Sequence, residues 1–123
     1  MLKNCKELQV WQKSYSFCLQ IYQETRKFPN EEKFGLTSQM RRSAVSIPSN
    51  IAEGYGRKTT ADYIRFLSIA YGSLCELETQ IMLAGDLSYI ENGGLESLLA
   101  NLSDIERMLK ALIRSLEEKC SIP

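Results

Sequence analysis

Apolar residues recur along most of the chain at steps of three and four, which is the spacing of one face of an α-helix. No segment shows the alternation of a β-strand. The first such pattern predicts a helix running roughly from Lys6 to Lys27, which ends because Pro29 disfavours helical geometry at the residue before it. The predicted buried stripe of this helix is Leu8, Trp11, Tyr15, Cys18, Tyr22 and Thr25.

A second helix is predicted after Gly35, starting at Thr37 or Ser38, because either hydroxyl can cap a helix. Gly54 and Gly56 are expected to end it. Its apolar stripe consists of Met40, Ala44, Ile47, Ile51 and Tyr55.

Two longer helices are predicted in the second half. The third opens around residues 59–62 with a threonine cap and an acidic first turn. Its stripe is Tyr63, Leu67, Ala70, Leu74, Leu77, Ile81 and Ala84. A loop containing Asn92-Gly93-Gly94 is expected to precede the fourth helix, whose stripe is Leu95, Leu98, Leu102, Ile105, Leu109, Leu112 and Leu116. Ala70, Gly72 and Ser73 are expected to allow close helix contact.

Four helices joined by short loops predict an all-α fold, an antiparallel up-down-up-down four-helix bundle in a single domain covering residues 1–123. The apolar stripes are wider than such a core needs. Exposed apolar surface favours a subunit interface, so a homo-oligomer is predicted. The additional apolar positions are Val10, Phe17, Ile21, Ile64, Phe66, Ile69, Leu99, Met108 and Ile113.

Composition limits the possible functions. Hydrophobic residues make up 44% of the chain and charged residues 24%, which is ordinary for a soluble protein. We expect a cytoplasmic protein without a membrane span, because no apolar run approaches the length that crosses a bilayer and no secretory leader is visible. The chain has no histidine, which excludes His-dependent nucleophile pairs, the H-E-x-x-H zinc site and the E-x-x-H di-iron motif. We therefore expect no enzymatic activity, no metal and no cofactor.

The segment from Gly35 to Arg57 carries the residues that a helix does not need. Pro48 lies inside the second predicted helix, where proline costs about 3 kcal/mol. It removes the amide that would bond the Ala44 carbonyl, so it should kink the helix or split it at a new first turn. Neighbouring polar side chains can satisfy freed backbone groups. We interpret Pro48, Ser49, Asn50 and Glu53 as a shape element for packing or assembly.

Charge is unevenly distributed although the net charge is zero. Residues 1–70 contain 11 Lys/Arg against 6 Asp/Glu, whereas residues 71–123 contain 4 against 9. The candidate nucleic-acid-binding residues are Arg41, Arg42, Arg57, Lys58 and Arg65. The alternative is that these cations are solvated or paired, since Glu53 precedes Arg57 by four positions and Asp62 can pair with Lys58 or Arg65.

The run from Leu36 to Gly54, LTSQMRRSAVSIPSNIAEG, resembles the signature of a bacterial four-helix-bundle family encoded in intervening sequences of large-subunit rRNA genes. The stretches Leu8-x-Val10-Trp11, residues 62–67 and residues 70–80 resemble it too. The resemblance implies a four-helix protomer, commonly a ring-shaped homopentamer. In a related branch, the accessory protein of diversity-generating retroelements, it implies a basic ring that binds nucleic acid and a reverse transcriptase.

Two functions therefore remain open. The first is a non-enzymatic accessory protein that binds structured RNA or a ribonucleoprotein through a ring of basic residues. The second is an oligomeric protein-interaction scaffold with no nucleic-acid role. A contiguous basic belt on the assembled protein favours the first, and a mosaic of charges favours the second.

Overall fold

The computed structural model describes residues 5–121, and their regular structure is helical. Four α-helices follow one another, and short 3₁₀ turns lie at Cys5–Glu7 and Asn30–Glu32. The α-helices are α1 (Gln9–Thr25), α2 (Leu36–Tyr55), α3 (Thr60–Asp86) and α4 (Asn92–Ser121). The predicted all-α four-helix arrangement is confirmed.

Each α-helix contacts the next along the chain, and α4 contacts α1. Helices α2 and α3 run in opposite directions. Between α2 and α3, Ser43 bonds to Glu76 while Ser46 bonds to Ser73, so the positions ascend on one helix and descend on the other. These pairings favour the up-down-up-down order, which stays a prediction.

The face of α1 that enters the core is not the predicted stripe. Val10, Phe17 and Ile21 are buried, whereas Tyr15 of the predicted stripe is 50% exposed. Ser14 lies on the buried face because its hydroxyl donates to the Val10 carbonyl at 2.6 Å and so needs no water. The predicted stripe of α1, Thr25 excepted, therefore lies at the edge of the core or on the surface.

Helix α2 starts earlier than predicted. Gly35 is its N-cap and makes no side-chain cap bond, so the expected hydroxyl cap by Thr37 or Ser38 is wrong. The helix continues without a break through Pro48 to Tyr55, which excludes the predicted split at Pro48. The predicted core positions of α2 are buried, apart from Tyr55, which is half-buried.

Gly54 lies inside α2 and lets α2 approach α3. A Cβ at this position would stand 2.9 Å from the Phe66 Cβ and 3.0 Å from Tyr63 Cδ1. The predicted small-residue contact holds for Ala70, which is buried, and for Ser73. It is wrong for Gly72, which is exposed and has no neighbour within 4 Å of an added Cβ.

Helix α3 begins as predicted, since the Thr59 hydroxyl accepts a hydrogen bond from the Asp62 amide at 3.1 Å. Its predicted stripe is buried, apart from the half-buried Tyr63. Helix α4 begins at Asn92, so the predicted loop around Asn92-Gly93-Gly94 is instead its first turn. Among the described residues, no helix is both long and apolar enough to cross a bilayer.

Candidate nucleic-acid interface

The five predicted cations lie in two groups at opposite ends of α2. Arg41 and Arg42 belong to its second turn, whereas Arg57, Lys58 and Arg65 surround the turn between α2 and α3. At 1.5 Å per residue, the two groups are roughly 20 Å apart along the helix. We call the second group the turn cluster. The five residues therefore form no single compact site on one protomer.

The turn cluster is organised around one aromatic ring. The guanidinium groups of Arg57 and Arg65 both lie 4.6 Å from the centre of the Phe66 ring. Arg57 pairs with Glu53 at 2.9 Å and Arg65 with Asp62 at 3.7 Å, so both predicted helical ion pairs are confirmed. Both ion pairs are exposed, so the two arginines remain accessible to solvent. Exposed pairs of this kind contribute little to stability.

Lys58 is the third member of the turn cluster, and unlike the two arginines it has no carboxylate partner among the described residues. Lys58 is exposed and makes no ion pair within the described part of the chain. Burial raises the pKa of the nearby Tyr63 to about 12, so its phenol stays neutral at physiological pH.

Arg41 has a structural role that the sequence did not indicate. Its Nε donates to the Thr25 hydroxyl at 2.9 Å, and its Nη2 donates to the Tyr22 carbonyl at 3.5 Å. Its guanidinium carbon lies 4.7 Å from the centre of the Tyr22 ring. Arg41 therefore ties α2 to the C-terminal end of α1, and it still has N–H groups that point elsewhere.

Arg42 and two residues of the preceding loop border a surface cavity of about 520 Å³. Arg42 is exposed and makes no ion pair within residues 5–121. Lys33 and Phe34 enter this cavity from the loop, with the Lys33 ammonium 5.5 Å from the centre of the Phe34 ring. Sequence reasoning missed both loop residues. The available signal was a Lys-Phe pair directly before Gly35, although only the folded chain shows that both side chains are exposed.

The loop before α2 is held by Glu32. One of its carboxylate oxygens accepts the Leu36 amide at 3.1 Å, and the other accepts the Tyr89 hydroxyl at 2.9 Å. This hydrogen bond raises the pKa of Tyr89, because the phenol is a donor to a carboxylate. A side chain at Gly35 would meet Glu32 Oε1 at 2.7 Å, so glycine permits this arrangement.

A chain of hydrogen bonds beside Pro48 connects α2 to α3 through Asn50, which belongs to the predicted shape element, and Ser46, which does not. Asn50 Nδ2 donates to the Ser46 carbonyl at 2.8 Å and to the Ser46 hydroxyl at 2.9 Å. The Ser46 hydroxyl is joined to that of Ser73 at 2.8 Å. Asn50 therefore acts at the Ser46 carbonyl, one turn before its own position, and Ser46 carries the contact to the next helix.

Pro48 and Ser49 also line an apolar groove between α1 and α2, with a volume of about 310 Å³. Tyr15 and Leu19 are 50% and 53% exposed in it. Burial raises the pKa of the Cys18 thiol, which keeps the groove uncharged. The other groove residues are Trp11 and Val45. Helix α3 also exposes three large apolar side chains, Ile69, Met82 and Leu83.

The described residues contain no group of three or more acidic or cysteine side chains placed to hold a metal ion. The features described above are accessible cations, exposed aromatic rings and an apolar groove.

Comparisons with known proteins agree on one family. Residues 6–111 match the family model described as 23S rRNA-intervening sequence protein. A crystal structure from Bacteroides thetaiotaomicron, a protein of unknown function from the S23 ribosomal protein family, superposes with a TM-score of 0.79 and 31% identity. The alignment covers 85% of this chain and 95% of that one. No curated protein sequence matches the chain. The predicted relation to retroelement accessory proteins stays a prediction.

Proposed function

The chain belongs to the 23S rRNA-intervening sequence protein family, and from this premise we propose that it is a non-enzymatic accessory protein that binds structured RNA or a ribonucleoprotein. Binding would be carried by basic residues repeated around a homo-oligomer, with a pentamer the favoured count. Repetition is essential to the proposal, because one protomer has no net positive charge to attract phosphates.

The observation that carries the RNA proposal is the charge pattern of α2. Both ends of this helix present cations to solvent, and its one acidic residue, Glu53, is paired with Arg57. Arg42 and Lys58 make no ion pair within the described residues. A surface with accessible cations and aromatic rings offers phosphate contacts together with stacking surfaces for bases.

The observation that supports assembly is exposed apolar surface at two different places on the protomer. One is the groove between α1 and α2, and the other is the set of exposed apolar side chains of α3. Two different surfaces on one protomer suit a head-to-tail contact, which closes into a ring when the rotation between copies permits. A ring would place one copy of each basic cluster on every subunit.

A protein-interaction scaffold is the second candidate. The groove between α1 and α2 favours it, because an apolar groove of this size also suits a helix or peptide of another protein. The acid partners of Arg57 and Arg65 point the same way, since a paired cation contributes less to phosphate binding. In this alternative the protein has no nucleic-acid role.

We expect the wild-type protein to bind a fluorescein-labelled RNA hairpin in the micromolar range or weaker, with little dependence on sequence. Affinity should fall steeply between 50 and 200 mM salt, because each phosphate contact releases counterions. Fluorescence anisotropy over a salt titration measures both quantities. A protein that leaves the anisotropy unchanged even at the lowest salt would refute RNA binding and favour the scaffold.

A further inference from the structure

We infer that the cavity beside the α2 N-terminus, here called the corner pocket, binds one unpaired nucleotide of an RNA, with the phosphate among its cations and the base against Phe34. This inference deepens the proposed function and rests on it. The pocket is the 520 Å³ cavity between the end of α1, the loop before α2 and the first turns of α2. That volume accommodates a nucleotide.

The lining of the corner pocket fits an anion. Three cationic side chains border it, Lys33, Arg41 and Arg42, and none of its lining residues is acidic. Arg41 spends two N–H groups on α1, which leaves three of the five that a guanidinium carries. Its orientation is fixed by those bonds and by the Tyr22 ring, so the remaining donors are preorganised. The hydroxyl of Ser38 adds a neutral donor.

Phe34 provides the surface that would contact the base of the nucleotide. Its side chain is 89% exposed, the largest exposed fraction among the large apolar residues of the described chain. The loop that carries it is not loosely held, because both Glu32 oxygens are bonded and the Gly35 amide donates to the Glu32 carbonyl at 3.0 Å. An ordered loop that displays an aromatic ring to solvent offers a stacking face to a base.

The combination favours a nucleotide over an apolar protein segment. A hydrophobic helix placed here would cover Phe34 but would also remove three cations from water without a partner, which is costly. A nucleotide provides an anion for the cations and a planar apolar face for the ring. A base that is already paired and stacked in a duplex cannot offer that face, so an unpaired nucleotide is required.

Phe34→Ala is the direct test, because it removes the ring without changing charge. The probes are a labelled hairpin with a six-nucleotide loop and a blunt duplex of equal nucleotide count. We expect the variant to bind the hairpin about five- to tenfold more weakly, with an unchanged salt slope and unchanged duplex affinity. Phe34→Trp should bind like wild type, and Phe34→Leu should be as weak as alanine because it lacks a π-face.

Leu87→Ala, which truncates an exposed apolar residue at the C-cap of α3, outside the corner pocket and both apolar surfaces assigned to assembly, is the matched control and should leave hairpin affinity unchanged. Light scattering on every variant reports the oligomer mass. If Phe34→Ala binds the hairpin as wild type does, the pocket assignment is overturned while RNA binding stands. If Phe34→Ala lowers the oligomer mass, or Phe34→Leu restores affinity, Phe34 contacts a protein surface and the assignment is again overturned. If wild type binds neither probe, the proposed function itself fails.

Discussion

Phe17→Ala is expected to lower the free energy of unfolding by about 3–5 kcal/mol, the usual cost of emptying a buried phenylalanine site. Phe17 is only 2% exposed and packs in the core on the inner face of α1. A loss of this size is a large part of the stability of a small domain. Urea denaturation followed by circular dichroism measures it, and Phe17→Leu should give a smaller loss if the alanine variant does not fold.

Tyr15→Ala is the matched control on the outer face of the same helix. Because half of Tyr15 is already exposed, we expect a cost below about 1 kcal/mol in the protomer. The same variant should reduce the oligomer mass, since Tyr15 lines the groove that we assign to assembly. Equal destabilisation by the two variants would contradict the orientation of α1, and an unchanged mass for Tyr15→Ala would contradict the role of the groove.

Replacing Arg41 and Arg42 together by glutamine is expected to give the largest loss of RNA binding, on the order of tenfold at low salt. The logarithmic salt slope should flatten by about two units for the pair and by about one for Arg42→Gln. All RNA sequences should lose affinity alike, because phosphate contacts carry no sequence information. Fluorescence anisotropy across a salt titration gives both numbers.

The single variants Arg41→Gln and Arg42→Gln should differ in their effect on the stability of the protein. Arg42→Gln should melt like wild type, because Arg42 makes no ion pair within the described residues. Arg41→Gln should cost about 1–2 kcal/mol, because it breaks the bonds to Thr25 and Tyr22. Arg114→Gln, an exposed site on α4, changes the net charge equally and is the control. If Arg114→Gln weakens binding as much as Arg42→Gln does, binding is diffuse and no α2 interface exists.

The sequence was most informative where the buried face of a helix is apolar at nearly every position. The stripe of α3 was predicted almost residue by residue, and its Thr59 cap was confirmed. For α1 the sequence misled, because apolar residues occupy two faces and the buried face contains Ser14, which the predicted stripe left out. The hydroxyls of Ser14 and of the correctly predicted Thr25 donate to carbonyls of their own helix, at 2.6 and 2.7 Å, so they can be buried. Residue type alone does not reveal such internal bonding.

The candidate interface shows the same difference: contacts within one helix can be predicted from the sequence, whereas contacts between separate segments cannot. The ion pairs Glu53–Arg57 and Asp62–Arg65 were predictable, because positions three or four apart share a helix face. The corner pocket was not, because it depends on how the loop before α2 meets the end of α1. Phe34 has no partner within its own segment other than Lys33, so only the folded chain shows how far it is exposed.

Light scattering of the protein alone and mixed with an RNA hairpin decides whether an assembled form of this protein binds RNA. We expect a mass several times the 14.0 kDa of one chain in moderate salt, five times for a pentamer. This mass should rise on adding hairpin at low salt and return to the value of the protein alone in high salt. A 14.0 kDa particle at micromolar concentration would refute assembly, and an assembled particle whose mass never rises with RNA would refute RNA binding.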